Sequence, residues 1–470
     1  MASTKITRTQ VTGSTNGTKI FTISVWFKVA TTTTTQSCIW SSGTASTDSI
    51  DLHIDATNQL TFESWDGSSN PKLQLSRKLR DPAAWYHVVM AVDSTEAVDT
   101  NRLKMWVNGV QETAFGSSTY PTLNYDFPGT GVASDVTTIG VGTQGSYTGN
   151  YFNGVMSHFH FIEGTAYGAD TFGETDSTSG IWKINTAPSV TYGNNGFFLK
   201  FEDSSNMDLD SSPNALTFTT TGELTSTKDN PSNNFCAINP LWTYGSSITI
   251  NDASTNFTGS QGNAWRIMGG SLAASTGKYY YEVKINTVST NNSYSIGWYS
   301  THNLPAFDGA ISPWVTYIGD INGPAAGLGK AGTLDYSTSS ANSQTDTGWT
   351  TYTTGDTICC AIDLTNNFMY WGIDGVWMKS GDPTSGSTGT GGFAFDNAGT
   401  YFWFPAFGST ETASGSTCHM ASNFGQGYFG NVTGAPTLVA TPGTNASNNG
   451  IFEYDVPTGY TALCTEGLND

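Results

Sequence analysis

The chain has 470 residues, of which 38 are acidic and 18 are Lys or Arg, giving a formal charge of −20 with only 12% of residues charged. That length suits two or three domains, and the charge excludes a nucleic-acid partner, because no basic stripe is there to neutralise phosphates. No run approaches the roughly 20 apolar residues of a membrane span, so membrane insertion is not expected.

Met1-Ala2-Ser3-Thr4-Lys5 has no apolar stretch of the secretory kind, and a signal peptide is not expected. From there, short strands with period-two alternation run through almost the whole length. Phe21, Ile23, Val25, Phe27 and Val29 alternate with Thr22, Ser24, Trp26 and Lys28, and Ile50, Leu52 and Ile54 alternate with Asp51, His53 and Asp55. Trp85-Tyr86-His87-Val88-Val89-Met90-Ala91-Val92-Asp93 then leads into Met105-Trp106-Val107-Asn108-Gly109-Val110. The same grammar returns as Asp356-Thr357-Ile358-Cys359-Cys360-Ala361-Ile362-Asp363 before Tyr370-Trp371-Gly372-Ile373-Asp374-Gly375-Val376. An apolar run ending in Asp fits a central strand buried on both faces, and Asn-Gly and Asp-Gly are two-residue hairpin signals. The fold class is therefore all-β, two tandem β-sandwiches of similar design with helix limited to single turns.

Between the halves, Glu202 to Asn206, Asp210 to Pro213 and Asp229 to Asn234 read as a polar linker, with Leu216 to Thr219 a candidate added strand. After Phe429 the chain is rich in Pro, Gly and Asn but keeps Tyr454, Val456, Tyr460 and Leu463, enough apolar matter to dock as an arm. The six cysteines lack C-x-x-C spacing and read as buried thiols, with adjacent Cys359 and Cys360 on opposite strand faces. The boundaries expected are 1–203 for the first sandwich, 204–240 for the linker, 241–430 for the second sandwich and 431–470 for the arm.

The order Phe21 to Lys28, Trp85 to Val89, Met105 to Gly109 and Tyr151 to Met156 resembles a laminin G-like domain of the concanavalin A-like superfamily. Lys278 to Val283, Ser295 to Trp298, Gly355 to Ile358, Phe404 to Phe407 and Ser422 to Gln426 resemble a SPRY domain. Phrases such as Gly180-Ile181-Trp182-Lys183, Tyr192 to Leu199, Asp229 to Cys236 and Gly459 to Thr465 are similar to structural proteins of tailed phages of aquatic bacteria. That resemblance implies a virion component assembled in the host cytoplasm and exposed on the particle.

Glycoside hydrolysis needs two carboxylates a few ångströms apart, and the Glu-x-Asp-x-Glu strand of hydrolases in this superfamily has no counterpart here. The nearest run is Asp51-x-His53-x-Asp55, and Glu282 stands alone. Asp51 and Asp55, with His53, could offer ligands to calcium, although a solvated polar face is the preferred reading and no other cofactor is expected. His158 and His160 share a face without a third zinc ligand in view, and an exposed or subunit-contact face is preferred for them. The polar stretch 300–354 carries Trp314, Tyr317, Trp349 and Tyr352 as candidate ligand-binding aromatics, because loops at one end of a sandwich are where such scaffolds place recognition. Packing within the loops is the preferred reading for Trp314 and Trp349.

The sequence therefore points to a non-enzymatic protein whose partners are other virion proteins and a host-surface glycan or envelope protein. A tail-fibre or appendage adhesin is the first expectation, a head decoration or tail-assembly protein the alternative, and a polysaccharide-degrading tail enzyme the third. A homo-oligomer is expected, a trimer in the case of a fibre, with the arm from Tyr454 to Leu463 docking on a neighbouring subunit or virion protein, or else finishing the surface of the second sandwich.

Overall fold

The structure is a computed structural model that describes residues 4–30, 35–45, 47–142, 149–244, 248–251, 255–260, 264–288, 293–301, 324–338, 344–397, 401–411, 417–431, 436–444 and 449–469. Strand accounts for 47% of it and helix for 4%, the latter in isolated 3₁₀ turns such as Asp99–Asn101 and Met378–Ser380. The chain divides into two units, Met1–Ser226 and Thr227–Asp470.

In the first unit the strands are β1 (Lys5–Thr9), β2 (Ile20–Val29), β3 (Ser37–Ala45), β4 (Asp48–Ile54), β5 (Leu60–Trp65), β6 (Lys72–Leu75), β7 (Tyr86–Asp93), β8 (Leu103–Val107), β9 (Val110–Gln111), β10 (Phe115–Thr119), β11 (Val136–Ile139), β12 (Gly154–Glu163), β13 (Gly173–Thr175), β14 (Trp182–Ile184), β15 (Phe197–Leu199) and β16 (Thr219–Thr221). They form one sheet in the order β10-β6-β5-β4-β3-β11-β1-β16 and another in the order β15-β12-β2-β7-β8-β9. Alternation sends Phe21, Ile23, Val25 and Phe27 from one sheet and Ile50, Leu52, Ile54 and Phe62 from the other into a shared core, all at 0–1% exposure.

In the second unit they are β17 (Ile238–Tyr244), β18 (Ile248–Asn251), β19 (Asn256–Ser260), β20 (Ala264–Gly270), β21 (Lys278–Thr287), β22 (Ser293–Ser300), β23 (Ala325–Gly329), β24 (Thr333–Ser337), β25 (Gln344–Thr347), β26 (Thr357–Asp363), β27 (Phe368–Ile373), β28 (Val376–Trp377), β29 (Phe393–Ala394), β30 (Trp403–Glu411) and β31 (Thr417–Asn423). The sheets run β17-β20-β30-β22-β23-β24-β25 and β18-β19-β31-β21-β26-β27-β28. Two side chains cross the core between them: the Tyr281 hydroxyl donates to the Gly297 carbonyl at 2.6 Å, and the Trp371 indole to the Ile296 carbonyl at 2.8 Å.

The two units trace one circuit. β2 through β9 are matched in order by β21 through β28, and β12-β2-β7-β8-β9 in one sheet corresponds to β31-β21-β26-β27-β28 in the other. The repeated grammar of the sequence is this repeated topology, and it extends to single hydrogen bonds. Asn108 and Asp374 both sit at φ 49°, followed by Gly109 and Gly375 at φ 78°, the geometry of a primed hairpin turn. Asn108 Oδ1 accepts from the His87 N–H at 2.7 Å, and Asp374 Oδ1 from the Thr357 N–H at 2.9 Å. The strand-ending residues Asp93 and Asp363 both turn back to accept backbone N–H bonds, from Thr95 and from Thr365 and Asn366.

Two boundaries differ from the sequence reading. The stretch taken as linker is structured and shared between the units. Asp210 accepts N–H bonds from Phe198, Ser212 and Leu216, and β16 pairs with β1. Beyond residue 227, Phe235 and Cys236 are buried in the second unit. The arm packs on its own unit. Phe452, Val456, Tyr460, Ala462 and Cys464 close over Tyr280, Cys359, Ala361 and Tyr370, and Thr461–Ala462 pairs parallel with β21. All six cysteines are buried thiols, Cys360 facing the sandwich core and Cys359 the arm.

Each large apolar side chain of the arm stabilises by roughly 1.5–3 kcal/mol on burial, against a whole-domain stability of about 5–15 kcal/mol. Deleting residues 450–470 is therefore expected to abolish the unfolding transition of the second unit in calorimetry while the transition of the first persists.

Candidate functional site

Strand β4 sends Ile50, Leu52 and Ile54 into the core and Asp51 and His53 to the opposite face. The turn after it is built by Asp55, whose Oδ1 accepts from the N–H groups of Thr57 and Gln59 and whose Oδ2 accepts from the Gln74 amide at 2.6 Å. That turn fixes an antiparallel register in which Asp51 faces Glu63 and His53 faces Thr61. One ligand-type atom from each of Asp51, His53 and Glu63 then lies within 4.8 Å of the others.

The face is not solvated. Asp51, His53 and Glu63 are 3%, 2% and 7% exposed. His53 Nδ1 and Asp51 Oδ1 share a hydrogen bond, and the Lys72 ammonium lies 3.0 Å from Glu63 Oε2. Burial pushes the Asp51 carboxyl above its ordinary value, with the His53 hydrogen bond pulling it part of the way back. The Cys38 thiol, paired across from His53, is pushed well up by burial and then by the Asp51 charge. Asp55 is outside the cluster because its oxygens are consumed by the turn. Its place is taken by Glu63, which is twelve residues from Asp51 in sequence and adjacent in the sheet.

The candidate aromatics divide. Trp314 and Tyr317 lie outside the described residues. Trp349 and Tyr352 are 7% and 2% exposed and belong to the core of the second unit. The Trp349 ring meets Trp371 edge-on at 5.5 Å, its indole donates to Asp346 Oδ2 at 3.0 Å, and the Lys379 ammonium sits 4.2 Å from its centroid. The Tyr352 hydroxyl points at the Leu328 carbonyl. Both rings are thus buried in the core of their own unit.

The histidines that the sequence left as an exposed or subunit-contact face are covered as well. A β-bulge at Ser157–His160 holds His158 at φ 48°, and His160 stacks on Phe198 at 3.8 Å with its Nδ1 3.0 Å from the Tyr192 hydroxyl. His87, which the sequence did not single out, stacks between Trp26 and Trp182 at 4.6 and 5.9 Å. It also lies 2.9 Å from Ser24 Oγ, a pair that invites a nucleophile reading. The Trp182 indole, however, donates to His87 Nδ1 at 3.0 Å. In the neutral ring the hydrogen is thus on Nε2, which donates to Ser24 rather than accepting its proton, the wrong polarity for activating a hydroxyl. The signal available in sequence was Gly180-Ile181-Trp182, an aromatic in a polar connection.

Glu282 completes the set. Its carboxylate is fully buried and accepts from the backbone N–H groups of Glu453 and Tyr454, each at 2.8 Å, and from the Tyr280 hydroxyl at 3.0 Å. Burial outweighs these bonds and raises its pKa to about 7. It anchors the arm from within the sheet.

Residues 4–166 match the laminin G-type model of the concanavalin A-like lectin/glucanases superfamily. Among solved structures the chain is similar to the SPRY domain of human HERC1, at 17% identity over 39% of this chain and 97% of that one, with a TM-score of 0.28. It is also similar to a heptameric SAP-like pentraxin from Limulus polyphemus, at 13% identity over 42% and 88% of the two chains, with a TM-score of 0.27. The TRIM65 PSpry domain is similar at 11% identity over 40% and 91%, with a TM-score of 0.26. No curated protein sequence matches the chain.

Two outcomes follow from this geometry. Trp349→Ala is expected to cost the second unit about 3 kcal/mol in denaturant unfolding, the value for removing a core aromatic. Burial lowers the pKa of His87 to about 3 and of His158 to about 4, from about 6.5 in an unfolded chain. A lowered histidine pKa contributes stability that is complete above pH 6.5 and is lost as pH falls toward the folded value. Between pH 7 and pH 4 the melting temperature of the first unit should therefore fall further in the wild type than in His87→Phe; parallel falls would show that His87 is not buried neutral.

Proposed function

We propose that this chain is a non-enzymatic binding protein displayed on a virion, where it serves as an adhesin module contacting a host-surface glycan or envelope protein. The first unit carries a concanavalin A-like sandwich, a scaffold that suits a binding module. The observation that carries the non-catalytic reading is the closure of the acid–base groups. Asp51 and Glu63 have the proximity a retaining glycosidase would use, yet they are 3% and 7% exposed, and no sugar ring reaches them. Glu282 is occupied by the arm, and the Ser24–His87 contact has the wrong hydrogen-bond polarity.

Virion placement rests on the resemblance of the connecting segments to tailed-phage structural proteins. A surface with few charges supports it, because Ser, Thr and aromatic faces can be buried against partners without desolvating ions. Symmetric homo-oligomeric display would turn weak single contacts into firm attachment. Such assembly would use surfaces other than the arm, which is already spent on its own unit.

The test uses purified protein with host capsule, lipopolysaccharide and β-glucan, assayed in parallel for retention on the immobilised polymer and for reducing-end release. Retention without release is expected. Release that disappears in Asp51→Asn or Glu282→Gln would replace the adhesin with an enzyme.

A further inference from the structure

We propose that Asp51, His53 and Glu63 form a structural site for a divalent transition metal, Zn²⁺ or Mn²⁺, that staples β4 to β5 on the outer face of the first sandwich. The donor atoms come from adjacent strands and lie within 4.8 Å of one another. Metal–ligand bonds of about 2.0–2.2 Å place tetrahedral ligands roughly 3.5 Å apart, so rotamer adjustments of about an ångström close the site. One imidazole with two carboxylates suits zinc or manganese, whereas calcium takes six to eight oxygens and no nitrogen.

A second observation points to a ligand at the same place. Thr61 pairs directly with His53, so its side chain lies on the cluster face, and it is 0% exposed. Its Oγ1 makes no hydrogen bond. A buried hydroxyl in that condition is destabilising, and beside a metal it serves as a further ligand or holds a metal-bound water. The surrounding groups support the same assignment. The hydrogen bond between His53 Nδ1 and Asp51 Oδ1 joins two of the three donor atoms, and a metal that takes both must displace its proton. Lys72, 27% exposed, is free to swing its ammonium to solvent when a second cation arrives at Glu63. Closure from bulk water fits a structural rather than a catalytic centre, which would keep an open position.

The test titrates the full chain, stripped with a chelator, with ZnCl₂ and separately with MnCl₂. It follows heat, proton release, the Mn²⁺ electron paramagnetic resonance signal and the melting temperature of the first unit. One ion per chain, release of a proton and a rise in melting temperature are expected. His53→Gln and Glu63→Gln should each weaken binding by more than about 100-fold, and Thr61→Val, which keeps strand shape and volume, by about tenfold. Asp176→Asn, on an exposed turn, should bind as the wild type does. The proposal is overturned if neither metal binds the wild type, or if His53→Gln, Glu63→Gln and Thr61→Val all bind undiminished, since the ion would then lie elsewhere. Should the first two fail to fold, Thr61→Val decides alone.

Discussion

A β-strand that is apolar on both faces has to be covered twice, and β7 and β26 impose that requirement on their units. Val88, Met90 and Val92 point into the first core while Val89 and Ala91 point away from it. Ile358, Cys360 and Ile362 fill the second core while Cys359 and Ala361 point away. The opposing sheet satisfies the inner face in both cases. The outer face needs extra chain, and each unit recruits it from the chain that follows β12 in the first and β31 in the second. In the first, Phe172, Trp182, Tyr192 and Phe198 lie across β7 and β12. In the second, Phe452, Val456, Tyr460 and Ala462 lie across β21 and β26.

Both covers are held by the same device, a buried glutamate that accepts consecutive backbone N–H groups. Glu163 Oε2 takes those of Asn194 and Asn195, and Glu282 takes those of Glu453 and Tyr454. Both covers also press an aromatic ring on the hairpin glycine. A Cβ at Gly109 would fall 2.3 Å from the Trp182 ring, and one at Gly375 would fall 2.7 Å from the Tyr454 ring. A side chain at either glycine would displace the cover as well as strain a left-handed backbone.

Much of this was legible in sequence. Period-two alternation located the strands, and the Asp-terminated runs located the doubly buried centre of each unit, because apolar residues on both faces leave no room for a polar stripe. What could not be read was what lay over those outer faces. Trp349 and Tyr352 sit in a polar stretch, and only the folded loop shows that they turn inward. His158 and His160 alternate with apolar residues as a solvated face would, and their burial is decided by a segment later in the chain. The Asp51–Glu63 pair was within reach. Counting outward from the Asp55–Gln59 turn, Ile54 meets Leu60 and Asp51 meets Glu63. Following one strand face without its hairpin partner led to Asp55 instead. What the arm covers was not legible because its spacing of apolar residues is irregular, and packing rather than periodicity identifies the strands beneath it.

The pairing of β1 has a consequence for how the protein is made. Ile6 bonds to Ile139 on one side and to Thr220 on the other, so a strand among the earliest to be synthesised waits for two far later ones. Tyr460 and Leu463 similarly close over β21 and β17, well over a hundred residues upstream. Contacts of such long sequence separation carry a large loop-closure cost before they are rewarded, and they make folding slow. On the ribosome, neither unit can finish as its strands appear. Each holds exposed apolar strand faces until its cover has emerged, since β16 follows β1, and Leu463 follows β17, by some two hundred residues. Uncovered strands are where chains aggregate. The net charge of −20, shared by every copy, opposes that association between chains.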